Sequence, residues 1–134
     1  MIFMLDTDIC IYIIKRKPIN VLKRLESLQP GRLAMSAITF AELMNGAKKS
    51  QHVEANLKKL NALSELIEIR PFDKQAAVCY GDVRSSLEKR GETIGGNDLL
   101  IAAHALSLGW TLVTNNEREF SRVDGLKMVN WAEE

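Results

Sequence analysis

Short runs of strand-type residues, most of them apolar and closed by a polar residue, alternate along the chain with longer stretches whose apolar positions recur every three or four residues. Runs of the first kind occupy 2–5, 33–35, 111–114 and 126–129, with a brief alternation at 67–69. A run without a polar face suits a strand covered on both sides, so these segments predict a buried, mostly parallel sheet of four to five strands. Between them, Ile9, Tyr12, Ile13 and Ile14 predict a helix over 7–17, capped by Thr7 or Asp8 and stopped by Pro18. Ile19, Leu22, Leu25 and Leu28 mark a second helix over 18–28, ended by Gln29-Pro30-Gly31. A third begins at Ser36 or Thr39, and Glu42 has capping-box spacing from Thr39, which places it near that helix start. Leu57, Leu60, Leu63 and Leu66 mark a helix over 53–66, and Asp73 opens a long one that reaches Arg90 and stops at Gly91. Residues 99–108 are apolar nearly all round, which predicts a helix packed inside the domain, with Asn97 or Asp98 at its start and Gly109 at its end. A short helical turn follows over 117–120. Strands separated by helices throughout define the α/β class, with right-handed crossovers.

The 134 residues fit one domain, 1–134, large enough to bury a single core. With 46% hydrophobic and 26% charged residues, and no repeat or low-complexity tract, the composition excludes a disordered or fibrous chain. A formal net charge of +1 excludes nucleic-acid binding by general basicity, so any grip on phosphate has to come from local clusters such as Lys15-Arg16-Lys17, Lys48-Lys49 or Lys58-Lys59. Such clusters also serve simply as solvated helix faces. Cys10 and Cys79 lack C-x-x-C spacing and histidine partners, and are expected as buried free thiols. Only the short apolar run ending at Leu5 precedes Asp6, with no basic leader, and no run of 18 apolar residues occurs; a cytoplasmic, unanchored protein is expected.

Acidic residues then change the picture. Asp6 ends the first apolar run, Glu42 follows the second, Asp98 opens the apolar helix, and Glu119 follows the run over 111–114. Carboxyl ends of parallel strands line one crevice, so these scattered acids are expected to share a pocket. Uncompensated carboxylates at close quarters resist full ionisation, and divalent cations are the usual remedy. A set of carboxylates without His or Cys favours magnesium or manganese over zinc, and such ions promote phosphodiester cleavage by activating water and offsetting phosphate charge. Glu117, two residues from Glu119, is by spacing alone an equal candidate for the fourth acid. His104 reads as a hydrogen-bonded core histidine and His52 as a surface residue, so neither supplies a nucleophile's base. Without a Ser-His-Asp set or a glycine-rich phosphate loop, covalent hydrolase and nucleotide-binding classes have little support.

Met4 to Tyr12, Ile38 to Leu43 with Gly46-Ala47, Ile94 to Ala105, and Val113-Thr114-Asn115-Asn116 leading to Arg118-Glu119-Phe120 resemble, in order and spacing, the four signature blocks of PIN-domain ribonucleases of the VapC toxin type. That resemblance implies a three-layer α/β/α domain and a Mg2+- or Mn2+-dependent endoribonuclease, the toxin of a type II toxin–antitoxin pair. Transfer RNA is the implied substrate class, a VapB-type antitoxin the implied partner, and a homodimer with hetero-oligomers of toxin and antitoxin the implied assembly. It assigns Asp6 and Asp98 as principal metal ligands, Glu42 as an acid that holds metal and activates water, Glu119 as the fourth acid, and Thr114 as a supporting hydroxyl. Exposed apolar positions such as Tyr12 or Leu43 would suit self-association. Two departures stand out: Asp8 where asparagine is commoner, and Gly96-Asn97 where a proline and an aromatic residue often precede Asp98. Asp6-Thr7-Asp8 after a strand also resembles the start of haloacid-dehalogenase phosphatases, with Asp6 as nucleophile, though Cys10 departs from that pattern. A non-catalytic interaction module on the same fold is the remaining alternative.

Overall fold

Phe3, Met4 and Leu5 are each 5% exposed or less, which a strand achieves only at the centre of a sheet covered on both faces. In the computed structural model, which describes residues 2–133 and at Pro30 the backbone alone, this segment is the central strand β1 (Phe3–Leu5). The other strands are β2 (Leu33–Ser36), β3 (Glu68–Arg70), β4 (Thr111–Val113) and β5 (Met128–Val129), all paired parallel in the order β3-β2-β1-β4-β5.

Because side chains alternate across a strand, the sheet divides two apolar layers. Phe3, Leu5, Leu33, Met35 and Val113 pack on one face with Ile9, Cys10 and Ile13 of α1 (Thr7–Lys15), Val21 of α2 (Ile19–Glu26), Leu43 of α3 (Ala37–Lys48) and Leu60 and Leu63 of α4 (Val53–Leu66). Met4 and Leu112 meet the opposite layer, where Val83 and Leu87 of α5 (Lys74–Arg90) lie with Leu99, Ile101, Ala102 and Ala105 of α6 (Gly96–Leu108) and Phe120 of α7 (Glu117–Phe120). Trp131, fully buried in the 3-10 turn after β5, sets its ring edge-on to Phe3 at 5.6 Å and fastens the last turn to β1. Truncating such a ring typically costs ~3–5 kcal/mol.

From β1 the chain builds outward through β2 and β3, then returns to the other side of β1 for β4 and β5. The reversal falls between β1 and β4, and in an open α/β sheet the ligand crevice lies at that switch point, beyond the strand ends. Leu5 pairs with Val113, so Asp6 and Thr114 are the first residues past the two ends.

Several boundaries differ from the sequence expectation. Helix α1 stops at Lys15, because Arg16 turns left-handed (φ 60°) and gives its N–H to the carbonyls of Tyr12 and Ile13. Helix α2 spans only Ile19–Glu26, with Pro18 outside it. Ser36 rather than Thr39 caps α3, its Oγ accepting from Ile38 N at 3.1 Å. With the helix beginning at Ala37, Glu42 sits in the second turn and not at the start. Helix α6 begins at Gly96, earlier than its apolar pattern indicates, because three polar or bare residues complete its first turn and include Asp98. Leu43, expected as an exposed contact, is buried at 8% exposure, and Tyr12 is half-buried; the exposed large apolar side chains among the described residues are Ile11, Ile19, Leu66 and Val78. Cys10 is buried, and burial drives its thiol well above the ordinary range, whereas Cys79 is only partly covered. His104 is the expected core histidine: Nδ1 lies 2.8 Å from Ser36 Oγ, the Phe72 ring stands edge-on at 5.4 Å, and burial lowers its pKa so that it stays neutral. Among the described residues no helix is long and apolar enough to cross a membrane.

Candidate active site

Asp6 leaves β1 with its N–H on Val113 O (2.9 Å) and caps α1, Oδ1 accepting from Thr7 N at 2.8 Å. Its Oδ2 accepts from the buried hydroxyl of Thr114 at 2.7 Å, which ties the ends of β1 and β4 together at the switch point. At 4% exposure the carboxylate has lost most of its hydration. Burial, with the charge of Asp8 next, raises its pKa to about 7 despite the bonds from Thr114 and Thr7.

The other acids are reached through hydroxyl and amide links. Thr7 Oγ1 donates to Glu42 Oε1 at 2.6 Å, which brings the second turn of α3 against the first turn of α1. Asn97 Nδ2 donates to Glu42 Oε2 at 3.2 Å, joining the start of α6 to the same group. On the β4 side, Thr114 Oγ1 accepts from Asn116 N at 3.0 Å, and Asn116 Nδ2 then reaches both Glu119 Oε2 (3.0 Å) and Asp98 Oδ2 (3.4 Å). Asp98 is held up at about 6, by burial first and then by Glu119, with Glu42 and Asp8 adding to it. Asp6, Glu42, Asp98 and Glu119 are thus the nodes of one network, converging from four separate elements as the strand ends imply.

The two late glutamates take different partners. Glu119 faces Asp98 through Asn116, while Glu117 is exposed and accepts from Asn130 Nδ2 at 3.3 Å, away from the cluster. Thr114 lies against Asp6, to which its hydroxyl donates. Three further participants lie outside the sequence assignment: Thr7, Asn97 and Asn116. Each is an uncharged hydrogen-bond donor beside an acid, and no spacing rule singles such residues out. Asn97 occupies one of the two positions at which the chain departs from the signature, and its amide is what reaches Glu42.

Asp8 adds a fifth carboxylate. One oxygen accepts from Asn115 N at 3.2 Å, and the other, Oδ1, is buried without a partner among the described residues. Burial raises its pKa, and its charge raises that of Asp6. Asn115 also spans from Tyr12 OH (3.1 Å) to Asn130 Nδ2 (3.1 Å), so the loop after β4 is fixed to α1 and to the exit from β5.

Among the described residues no three His, Cys, Asp or Glu side chains already converge closely enough to hold a metal ion between them. The chemistry of the donors nonetheless fits a hard cation. All are carboxylate oxygens, three of the acids are raised, by burial first, and a buried Asp8 oxygen has no partner among the described residues. Magnesium keeps several of its waters and needs only one or two carboxylates directly, so the spacing is compatible with outer acids acting through water.

A PIN domain family profile matches residues 3–126. Among curated proteins, the tRNA(fMet)-specific endonuclease VapC of Shigella flexneri is 43% identical over 97% of this chain and 98% of its own length. Ribonuclease VapC2 of Rickettsia felis is 44% identical over 98% of both chains. Among solved structures, VapBC2 of Rickettsia felis, bound to a DNA fragment from its promoter, superposes with a TM-score of 0.92 at 43% identity, covering 98% of this chain and 99% of the other. DNA-bound VapBC of Salmonella typhimurium gives a TM-score of 0.93 at 40% identity, covering 98% of each.

Proposed function

The chain belongs to the PIN domain family, and from that premise we propose that it is the toxin of a VapBC-type toxin–antitoxin pair, an endoribonuclease that cuts RNA with Mg2+ or Mn2+ at the acidic cluster. The observation that carries the reading is the convergence of Asp6, Glu42, Asp98 and Glu119 on one hydrogen-bonded network at the switch point. A bound divalent ion would lower the pKa of an attacking water and offset charge on the scissile phosphate. Asp6 and Asp98 are the groups to hold it, with Glu42 and Glu119 completing the charge.

Each side chain has a separate task. Thr114 and Thr7 N fix both oxygens of Asp6, so that carboxylate meets its ligand without rotating. Thr7 and Asn97 hold Glu42, whose oxygens orient the attacking water and accept its proton. Asn116 keeps Asp98 and Glu119 side by side despite their repulsion. Replacing Asn116 with Ala is expected to lower kcat about tenfold, and Glu119→Gln by about a hundredfold, the scale of lost positioning and of a lost catalytic carboxylate. Glu117→Gln is expected to stay near wild type. Steady-state cleavage of a labelled RNA by the three variants checks the ranking.

The substrate class is transfer RNA, supported by the tRNA(fMet)-specific endonuclease VapC of Shigella flexneri among the relatives. A VapB-type antitoxin is the partner, supported by the VapBC complexes among the solved relatives, and it acts by covering the acidic pocket. The pair works in the cytoplasm, and Ile19 and Leu66 are exposed apolar positions available to a homodimer or to hetero-oligomers with antitoxin. In the direct test, the purified chain is incubated with bulk tRNA and the new 5′ ends are mapped. Cutting at a small number of positions with Mg2+ or Mn2+ is expected; equal cutting in excess chelator would refute metal dependence.

A further inference from the structure

Beside the acidic cluster, α1, α3 and α4 enclose an open cavity of about 320 Å³. Thr7 and Glu42 form its inner end, Ile11, Ile14, Leu43 and Leu60 its apolar flanks, and Lys15 and Asn56 its remaining polar positions. One wall is unexpectedly bare. Gly46 lies inside α3, where glycine destabilises a helix relative to alanine. Its φ is not positive, and a Cβ built there meets nothing within 4 Å. Gly46 is exposed, and Gly81 inside α5 is equally uncrowded, so what singles Gly46 out is its place in the cavity lining, where a larger side chain would project into the open space.

We propose that this cavity is a nucleotide subsite, taking one unpaired base of the RNA next to the scissile phosphate while Lys15 holds a neighbouring phosphate. The inference rests on the endoribonuclease reading and adds to it a residue set that selects the substrate. Three observations favour a base over a protein segment. The cavity shares Thr7 and Glu42 with the acidic site, so a strand lying across those acids runs directly into it. Its volume suits one planar ring system between aliphatic walls, whereas a docked helix needs a much longer groove. Charge at its two ends differs in the required sense, with Glu42 on the cluster side and, from the last turn of α1, Lys15, which makes no ion pair among the described residues. Thr7 and Lys15 are eight residues apart on one helix, about 12 Å by helical rise, so the acidic and basic ends of the cavity are well separated.

Asn56 gives the subsite its means of discrimination. Its Nδ2 is already committed to Ser50 Oγ at 2.9 Å, which leaves the amide oxygen as an acceptor for a base amino group. Single-stranded RNA is read in this way, by splayed bases placed against side chains and bonded at their edges.

The test uses the full chain with Mn2+, a 12-nucleotide single-stranded RNA of randomised sequence as probe, and sequencing of the cut ends. Gly46→Leu fills the cavity without backbone strain. It is expected to raise KM about tenfold or more, with the loss on KM rather than kcat, and to erase base preference at one position flanking the cut. Ile11→Trp, which narrows the same cavity from its exposed flank, should reproduce that result if Gly46→Leu fails to fold by thermal melting. Lys15→Ala is expected to raise KM severalfold, leave base preference unchanged and reduce the salt slope of binding by about one. Wild-type KM and base preference in both cavity-filling variants would overturn the subsite, as would variants that lose only the ability to bind an antitoxin. Absence of metal-dependent cutting by the wild-type chain would instead remove the nuclease reading, and the subsite with it.

Discussion

Asp6→Asn is expected to reduce RNA cleavage by about a thousandfold or more while making the metal-free protein more stable, a combination that separates this carboxylate from a structural one. The first half follows from position. Asp6 is the acid nearest the switch point, bonded to both strand ends, and an amide there cannot supply an anionic oxygen to a cation. The second half follows from its cost. A carboxylate 4% exposed beside Asp8 is ionised only at the expense of folding, as its pKa of about 7 records. Asparagine removes that charge but keeps the acceptor for Thr7 N, so at neutral pH the melting temperature in chelator should rise by about 5 °C, which corresponds to roughly 1–2 kcal/mol in a domain of this size. Cleavage assays and melting curves on the same preparation check both halves. A variant that loses activity and also melts lower would mark Asp6 as a structural cap alone.

Acid pH is expected to disable the enzyme by protonating the cluster before it unfolds the chain. Asp6 near 7 and Asp98 near 6 both lie above the ordinary 3.8 of an aspartate, so the folded protein retains protons that the unfolded chain has already released between about pH 4 and pH 7. Ionisation of these groups therefore weakens the metal-free fold as pH rises through that window, and the loss levels off above about pH 7. A divalent ion binds the deprotonated acids, which reverses the balance. The Mg2+ concentration for half-maximal cleavage should rise about tenfold for each pH unit below about 6, more steeply if both protons must leave, and titration calorimetry in buffers of different ionisation enthalpy should detect proton release on binding. A metal requirement that stays flat between about pH 5 and pH 8 would place the ion elsewhere.

Much of this site was legible in the chain because its acids interrupt or terminate apolar segments. Asp6 after 2–5 and Asp98 at the mouth of an all-apolar helix are charges in expensive places, and the parallel-sheet rule brings them together without knowledge of any contact. Glu42 joins the network from the second turn of α3 and not from a capping box with Thr39, because Ser36 is the cap, its Oγ accepting from Ile38 N, and the helix starts earlier. Glu119 and Glu117 are indistinguishable by residue type, and only the turn of α7 sets them against different partners. Thr7, Asn97 and Asn116 escaped notice because a hydroxyl or amide gains meaning only from the acid it faces. Leu43 shows the converse error. Helical spacing cannot tell which of two flanks a neighbouring helix covers, and α4 covers that one.

The bond between Thr114 and Asp6 joins residues 108 positions apart, and the central strand they border is completed on one side only when β4 arrives. A ribosome translating this chain therefore extrudes its first carboxylate long before the hydroxyl that aims it, with Asn116 and Glu119 following later still. Contacts so distant in sequence delay assembly of the cutting centre until residues 114–119 have been made. The nascent chain is thus a poison that stays blunt until its late hydroxyl, amide and acid have emerged, and it sharpens only then.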